Sequence, residues 1–77
     1  MPTVEAIVSK MKTRPADIRF EEAERVLEHY WYKLLRTKGS HSQFGNSVGE
    51  LPTIPRHSRI KAVYVKEILK RIGEKDE

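Results

Sequence analysis

The chain contains no cysteine. Disulfide scaffolds, thiolate zinc sites, thioredoxin-type chemistry and cysteine nucleophiles are thereby excluded. No apolar run approaches the roughly 18 residues that span a bilayer. The opening residues, MPTVEAIVSKMKTR, scatter charge where a secretory leader would carry an apolar stretch. A cytoplasmic protein with no membrane partner is the expectation. Glycine and proline number four each, and there is one tryptophan, so no low-complexity tract or flexible linker is present. Length is short as well. The 77 residues make a single small domain, and a chain of this size buries only about 60% of the surface its unfolded form exposes. That argues against a large enclosed catalytic cavity and leaves a surface groove, a sheet face or an oligomer interface as the working site.

What is present is charge and periodicity. Fifteen Lys and Arg stand against eleven Asp and Glu, a net +4, which favours a polyanionic partner such as nucleic acid or an acidic protein. Hydrophobic residues are 38% of the chain, and their spacing is too regular for a disordered segment.

Val4, Ile7, Val8 and Met11 fall on one stripe of a short helix over Thr3–Lys12, with Thr3 as its N-cap and Pro15 ending it. A second helix is predicted from Phe20 to Tyr30. Phe20, Ala23 and Leu27 form its buried face, Trp31 continues that face into the core, and glutamates cover the other side. Trp31 with Tyr30 and Tyr32 is otherwise a possible base-stacking platform. Tyr32–Thr37 reads as a strand, Lys38-Gly39-Ser40 as a turn, and His41–Phe44 as a second strand. Alternation sets His41 and Gln43 on one face and Ser42 and Phe44 on the other. Leu51–Pro55 is a third extended piece whose two prolines suit a sheet edge. Ala62–Ile72 is the last helix, buried through Val65, Ile68, Leu69 and Ile72, with Gly73 as its C′ residue. The expected architecture is α+β: a three-stranded antiparallel sheet with two helices on one face, plus an extra N-terminal helix. Within the single domain, residues 1–14 are a helical extension, 15–73 the core and 74–77 a charged tail.

The positive charge is concentrated. Residues 32–61 hold six cations, Lys33, Arg36, Lys38, Arg56, Arg59 and Lys61, against one acid, Glu50, a net +5. A sheet face and loops lined in this way can follow a phosphate backbone, and equally can serve only solubility. Within this region His41 follows Lys38-Gly39-Ser40 at the start of a strand. A histidine so placed can take the proton of a ribose 2′-hydroxyl, with neighbouring cations stabilising charge on the phosphate and Gly39 letting backbone N–H groups approach it. A surface histidine with no catalytic role is the competing reading. His57, in the basic connector, is a phosphate contact or loop decoration. His29 lies on an acidic helix. The histidine spacing and the absence of cysteine predict no metal site.

Leu34-Leu35-Arg36-Thr37-Lys38-Gly39-Ser40-His41, then Ile54-Pro55-Arg56-His57, then Ile60-Lys61 and Val65–Ile72, together resemble the HicA family. These are small mRNA-cleaving toxins of bacterial toxin–antitoxin pairs. The likeness covers roughly residues 20–73, and the residues before it resemble the extended N-terminus of one branch. It implies a double-stranded-RNA-binding-domain-like fold used as a metal-independent endoribonuclease, without a cofactor. It maps His41 onto the histidine of the family's G-S-H step as general acid or base. Gly39 and Ser40 fall in the same motif, and Lys61 falls on the lysine before the last helix. Arg36, Lys38, Gly39, Ser40, His57 and Lys61 are the expected RNA contacts. A HicB-type antitoxin that covers the active face is the implied protein partner. The chain departs from the family at Ser42, where many members carry a second histidine, and at Ala62, where the usual step has proline. Two other readings predict different behaviour: a non-catalytic RNA-binding module, whose salt-sensitive binding ignores His41, and an inactive antitoxin-pairing protein, which binds its partner and cleaves nothing.

Overall fold

The computed structural model describes residues 3–47 and 49–73; Met1, Pro2, Val48 and the charged tail Glu74–Glu77 lie outside the described residues. The element order is α1 (Val4–Thr13), α2 (Phe20–His29), β1 (Lys33–Lys38), β2 (His41–Gly45), β3 (Ile54–Pro55) and α3 (Ala62–Arg71). The sheet is antiparallel throughout, in the order β1-β2-β3. Its topology is the expected α+β, double-stranded-RNA-binding-domain-like arrangement.

The core lies between the sheet and the helices. The apolar stripes of α1 (Ile7, Val8, Met11), α2 (Phe20, Ala23, Val26, Leu27) and α3 (Val65, Ile68, Leu69) bury one face of each helix. From the sheet side Phe44 and Ile54 meet them, and the Phe44 ring lies 6.1 Å from that of Phe20. The first helix packs on both α2 and α3, so it shares their core. Thr3 caps it as expected, its hydroxyl accepting from the Ala6 N–H at 3.1 Å. Lys10 then reaches from α1 to Glu22 of α2 at 2.7 Å, and Glu22 also accepts from the Arg19 N–H at 3.0 Å. Burial pushes the Glu22 carboxyl up, but these donors and their charge outweigh it and hold the group below its ordinary range.

The end of α2 corrects one expectation. Trp31 does not join the core; it is 82% exposed. The helix stops at His29, and Trp31 turns the chain with φ 71. The Tyr32 N–H reaches the Leu27 carbonyl at 2.9 Å and the Trp31 N–H reaches that of Glu28 at 3.2 Å. This is the Schellman pairing, with tryptophan at the C′ position that glycine usually holds. The left-handed residue takes the indole out of helical phase and swings Tyr32 into the core instead. Gly73 fills the same position after α3, with φ 86.

The third strand is shorter than the extended piece Leu51–Pro55. Only Ile54 and Pro55 pair with β2, because Pro52 has no N–H to donate. Before it, an isolated bridge joins Gly45 to Glu50, and the Leu51 N–H donates to the Phe44 carbonyl at 2.9 Å.

Candidate nucleic-acid interface

The candidate interface is built on the β1–β2 hairpin. Gly39 occupies the first central position of its two-residue loop with φ 61, the requirement of a type II′ turn. A Cβ there would meet nothing within 4 Å, so glycine is needed for its backbone and not for space. The register then sets Lys38 opposite His41 and Arg36 opposite Gln43. Directly opposed side chains point to the same face of a sheet. Ser42 and Phe44 are buried toward the helices, so Arg36, Lys38, His41 and Gln43 share the open face, as alternation requires. The register shift between Leu34 and Arg36 makes Leu35 an extra residue in β1. A Cβ on Gly45 would lie 2.8 Å from Leu35 Cδ1, so the leucine rests over bare backbone.

A shallow groove of about 560 Å³ crosses this face, lined by Arg36, Lys38, Gly39, His41, Gln43 and Thr53. Gln43 forms its floor. Its Nε2 donates to the Leu51 carbonyl, and its Oε1 accepts from the Thr53 hydroxyl at 2.9 Å. These two bonds fix the amide and tie the segment before β3 to β2. His41 is exposed at one end of the groove, across from Lys38.

The remaining cations divide into engaged and free groups. Arg59 donates to Asp17 at 2.9 Å. That hydrogen bond, helped by the charge and opposed by slight desolvation, holds the Asp17 carboxyl below its usual range. Arg56 lies over the Phe20 ring, 4.9 Å from its centroid. Arg36 makes a loose contact with Glu50 at 3.5 Å, both exposed. Among the described residues Lys33, Lys38 and Lys61 have no ion pair. The regional excess of positive charge is therefore partly neutralised, and much of what remains free lies on β1.

Of the residues expected from the sequence to contact RNA, Arg36, Lys38 and Gly39 come together with His41 in the groove. Ser40, His57 and Lys61 are exposed but do not line it. The Ser40 carbonyl accepts from the Arg56 N–H at 2.6 Å, which pins the hairpin tip to the chain beyond β3. Lys61 is the residue at the N-cap of α3. Gln43 and Thr53 join the site without a motif to mark them. Alternation places Gln43 beside His41, while nothing local marks Thr53, whose position depends on the return of the chain. Among the described residues no three His, Asp or Glu side chains converge on a metal-sized site, and no helix is long and apolar enough to cross a membrane.

Fold and face together define a small α+β domain of the double-stranded-RNA-binding-domain type with a cationic groove on its open sheet face. Residues 20–74, more than half of the chain, match the family model described as the HicA toxin of bacterial toxin–antitoxin systems, and the chain belongs to that family. Membership carries a toxin role and an antitoxin partner. No curated protein and no solved structure matched the chain significantly. Helix α1 precedes the matched residues.

Proposed function

We propose that this toxin is a metal-independent endoribonuclease that cleaves mRNA, with His41 as its general acid/base. RNA lies across the open face of the sheet with phosphates at Arg36, Lys38 and the Gly39 backbone. Ser40, His57 and Lys61 extend the contact beyond the groove. The imidazole of His41 takes the proton from a ribose 2′-hydroxyl. The freed oxygen attacks the adjacent phosphorus, the bond from phosphorus to the 5′-oxygen breaks, and the departing oxygen takes a proton from water. The products are a 2′,3′-cyclic phosphate and a 5′-hydroxyl. Lys38 and Arg36 stabilise the charge that develops on the phosphoryl oxygens. A HicB-type antitoxin restrains the activity in the cytoplasm.

The observation that carries this reading is the exposed imidazole directly opposite Lys38 at the end of a cationic groove. The family membership supports it. Ser42 does not weaken it, because the side chain at that position points into the core and away from the groove. His41→Ala removes an exposed side chain and leaves the core intact. Loss of a general acid/base costs on the order of 10²–10⁴-fold in rate, so the folded variant should cleave single-stranded RNA that much more slowly. Undiminished cleavage by a folded His41→Ala protein rejects the assignment. Salt-sensitive RNA binding without any cleavage by the wild type moves the protein to the binding-module reading.

A further inference from the structure

The free edge of β1 is the main feature that the groove does not absorb. All six side chains of this strand are exposed, including Leu34 at 43% and Leu35 at 47%. β2 covers one edge of the strand, and among the described residues no strand pairs with the other. The hairpin determines which groups stand free. The pair flanking a two-residue loop exchanges its ladder hydrogen bonds, and this pair is Lys38 and His41. Alternation then turns the N–H and C=O of Thr37 outward. β1 contains no proline; its cations and its bulge guard the edge against pairing with a copy of itself, while Thr37, beyond the bulge, stays open.

Trp31 stands just before the strand. It holds a left-handed backbone position suited to glycine and exposes its indole. The left-handed turn serves the fold by bringing Tyr32 into the core, but the exposed indole packs on little of it, and an exposed aromatic held at a strained position points to use in recognition.

Charge selects among occupants. β1 carries Lys33, Arg36 and Lys38 and no acid. Antiparallel pairing of two copies would set these cations against their own counterparts, and like charges opposed across a ladder are destabilising. An acidic strand reverses the sign of that interaction. Lys33, Arg36 and Lys38 share the open face, while Leu34 and Thr37 face the helix side. The complementary strand therefore alternates acid with apolar residues.

We propose that the free edge of β1 docks an extended segment of the antitoxin partner, one in which Asp or Glu alternates with apolar side chains, as a fourth strand of the sheet. Its acids pair with Lys33, Arg36 and Lys38, and its apolar residues cover Leu34 and reach Trp31. Strand addition of this kind takes its affinity from the backbone ladder and its selectivity from alternate side chains. The acids then stand beside the cations of the groove, so that docking and polyanion binding compete. The inference rests on the family membership and the geometry of β1, and does not need His41 to cleave RNA.

The test is a titration of the isotope-labelled full chain, followed by its backbone amide resonances at low salt. The probe is a blocked peptide alternating glutamate and valine, at millimolar concentration. Shifts confined to Lys33–Lys38 and the Trp31 indole are expected, with no comparable response to a lysine–valine peptide. Thr37→Pro removes the outward N–H but no bond to β2 and should abolish the response. Lys33→Glu keeps the backbone and should weaken binding several-fold, which decides the matter if the proline variant does not fold. A peptide that leaves the β1 amides unmoved overturns the proposal. So does an equal response to the cationic peptide, or concentration-dependent pairing of the free chain through β1. RNA cleavage is not a readout here, so a failure of the ribonuclease reading leaves this test standing.

Discussion

Ser42 and Trp31 each sit where chemistry alone would not put them. The Ser42 hydroxyl is fully buried and, among the described residues, has no hydrogen-bond partner. A buried polar group left unpaired costs about 1–3 kcal/mol. Ser42→Ala should therefore raise stability by about 1 kcal/mol in urea unfolding and leave RNA cleavage unchanged, since the side chain faces away from His41. A loss of cleavage in a stabilised variant would show that the position acts on the groove after all. Trp31 carries the cost of a left-handed backbone, about 1–2 kcal/mol for a residue with a Cβ. Trp31→Gly should raise the thermal midpoint by a few degrees, because the exposed indole contributes little packing. Neither residue was legible in the sequence. Alternation assigned Ser42 to the inner face, but whether its hydroxyl meets a partner depends on helices far along the chain. Trp31 fits the helical period that precedes it, and only the Schellman turn breaks that period. Gly73 was legible after α3 because glycine is what such a turn ordinarily requires.

The elements were easier to read, for a physical reason. Each helix carries its own stripe at 3.6-residue spacing, and the hairpin carries its own glycine, so their signals are local. Lys38-Gly39-Ser40 followed by His41 was enough to place the imidazole beside a cation. The floor of the groove was not, because Gln43 is held by Leu51 and Thr53, which return to it through a loop and a short strand. The place of α1 was also open in the sequence, where its stripe could have faced the domain or a partner. In the structure Ile7, Val8 and Met11 are buried with α2 and α3. Met11→Ala should cost about 2–5 kcal/mol, the range for truncating a buried methionine, measured by chemical denaturation. A cost near zero would mean that α1 is detached in solution.

At the scale of the whole molecule, charge governs both stability and partner choice. Glu22 links α1 to α2 through Lys10, and its carboxyl is held below its ordinary value of 4.5. Below that value the unfolded chain takes up a proton that the folded chain refuses, so stability falls with pH through the folded pKa. Above it the contribution is fully present. Glu22→Gln should lower stability at neutral pH and flatten the acid limb of the stability profile, measured by urea unfolding from neutral to acid pH. An acid limb as steep as that of the wild type would place the titration elsewhere. On the opposite side of the molecule the free cations lie on the exposed strand and around the groove, where a polyanion or an acidic partner can reach them. The net +4 of the sequence indicated such a partner without indicating the face, because Arg59, Arg56 and Arg36 are partly engaged within the fold. The central claim is that His41 makes this open face a metal-independent ribonuclease. Its most direct test is the end chemistry of RNA incubated in EDTA with the wild type and with a folded His41→Ala variant. The account predicts 2′,3′-cyclic phosphate and 5′-hydroxyl ends from the wild type alone. Equal cleavage by both proteins, or cleavage by the wild type only when a divalent metal is restored, would contradict it.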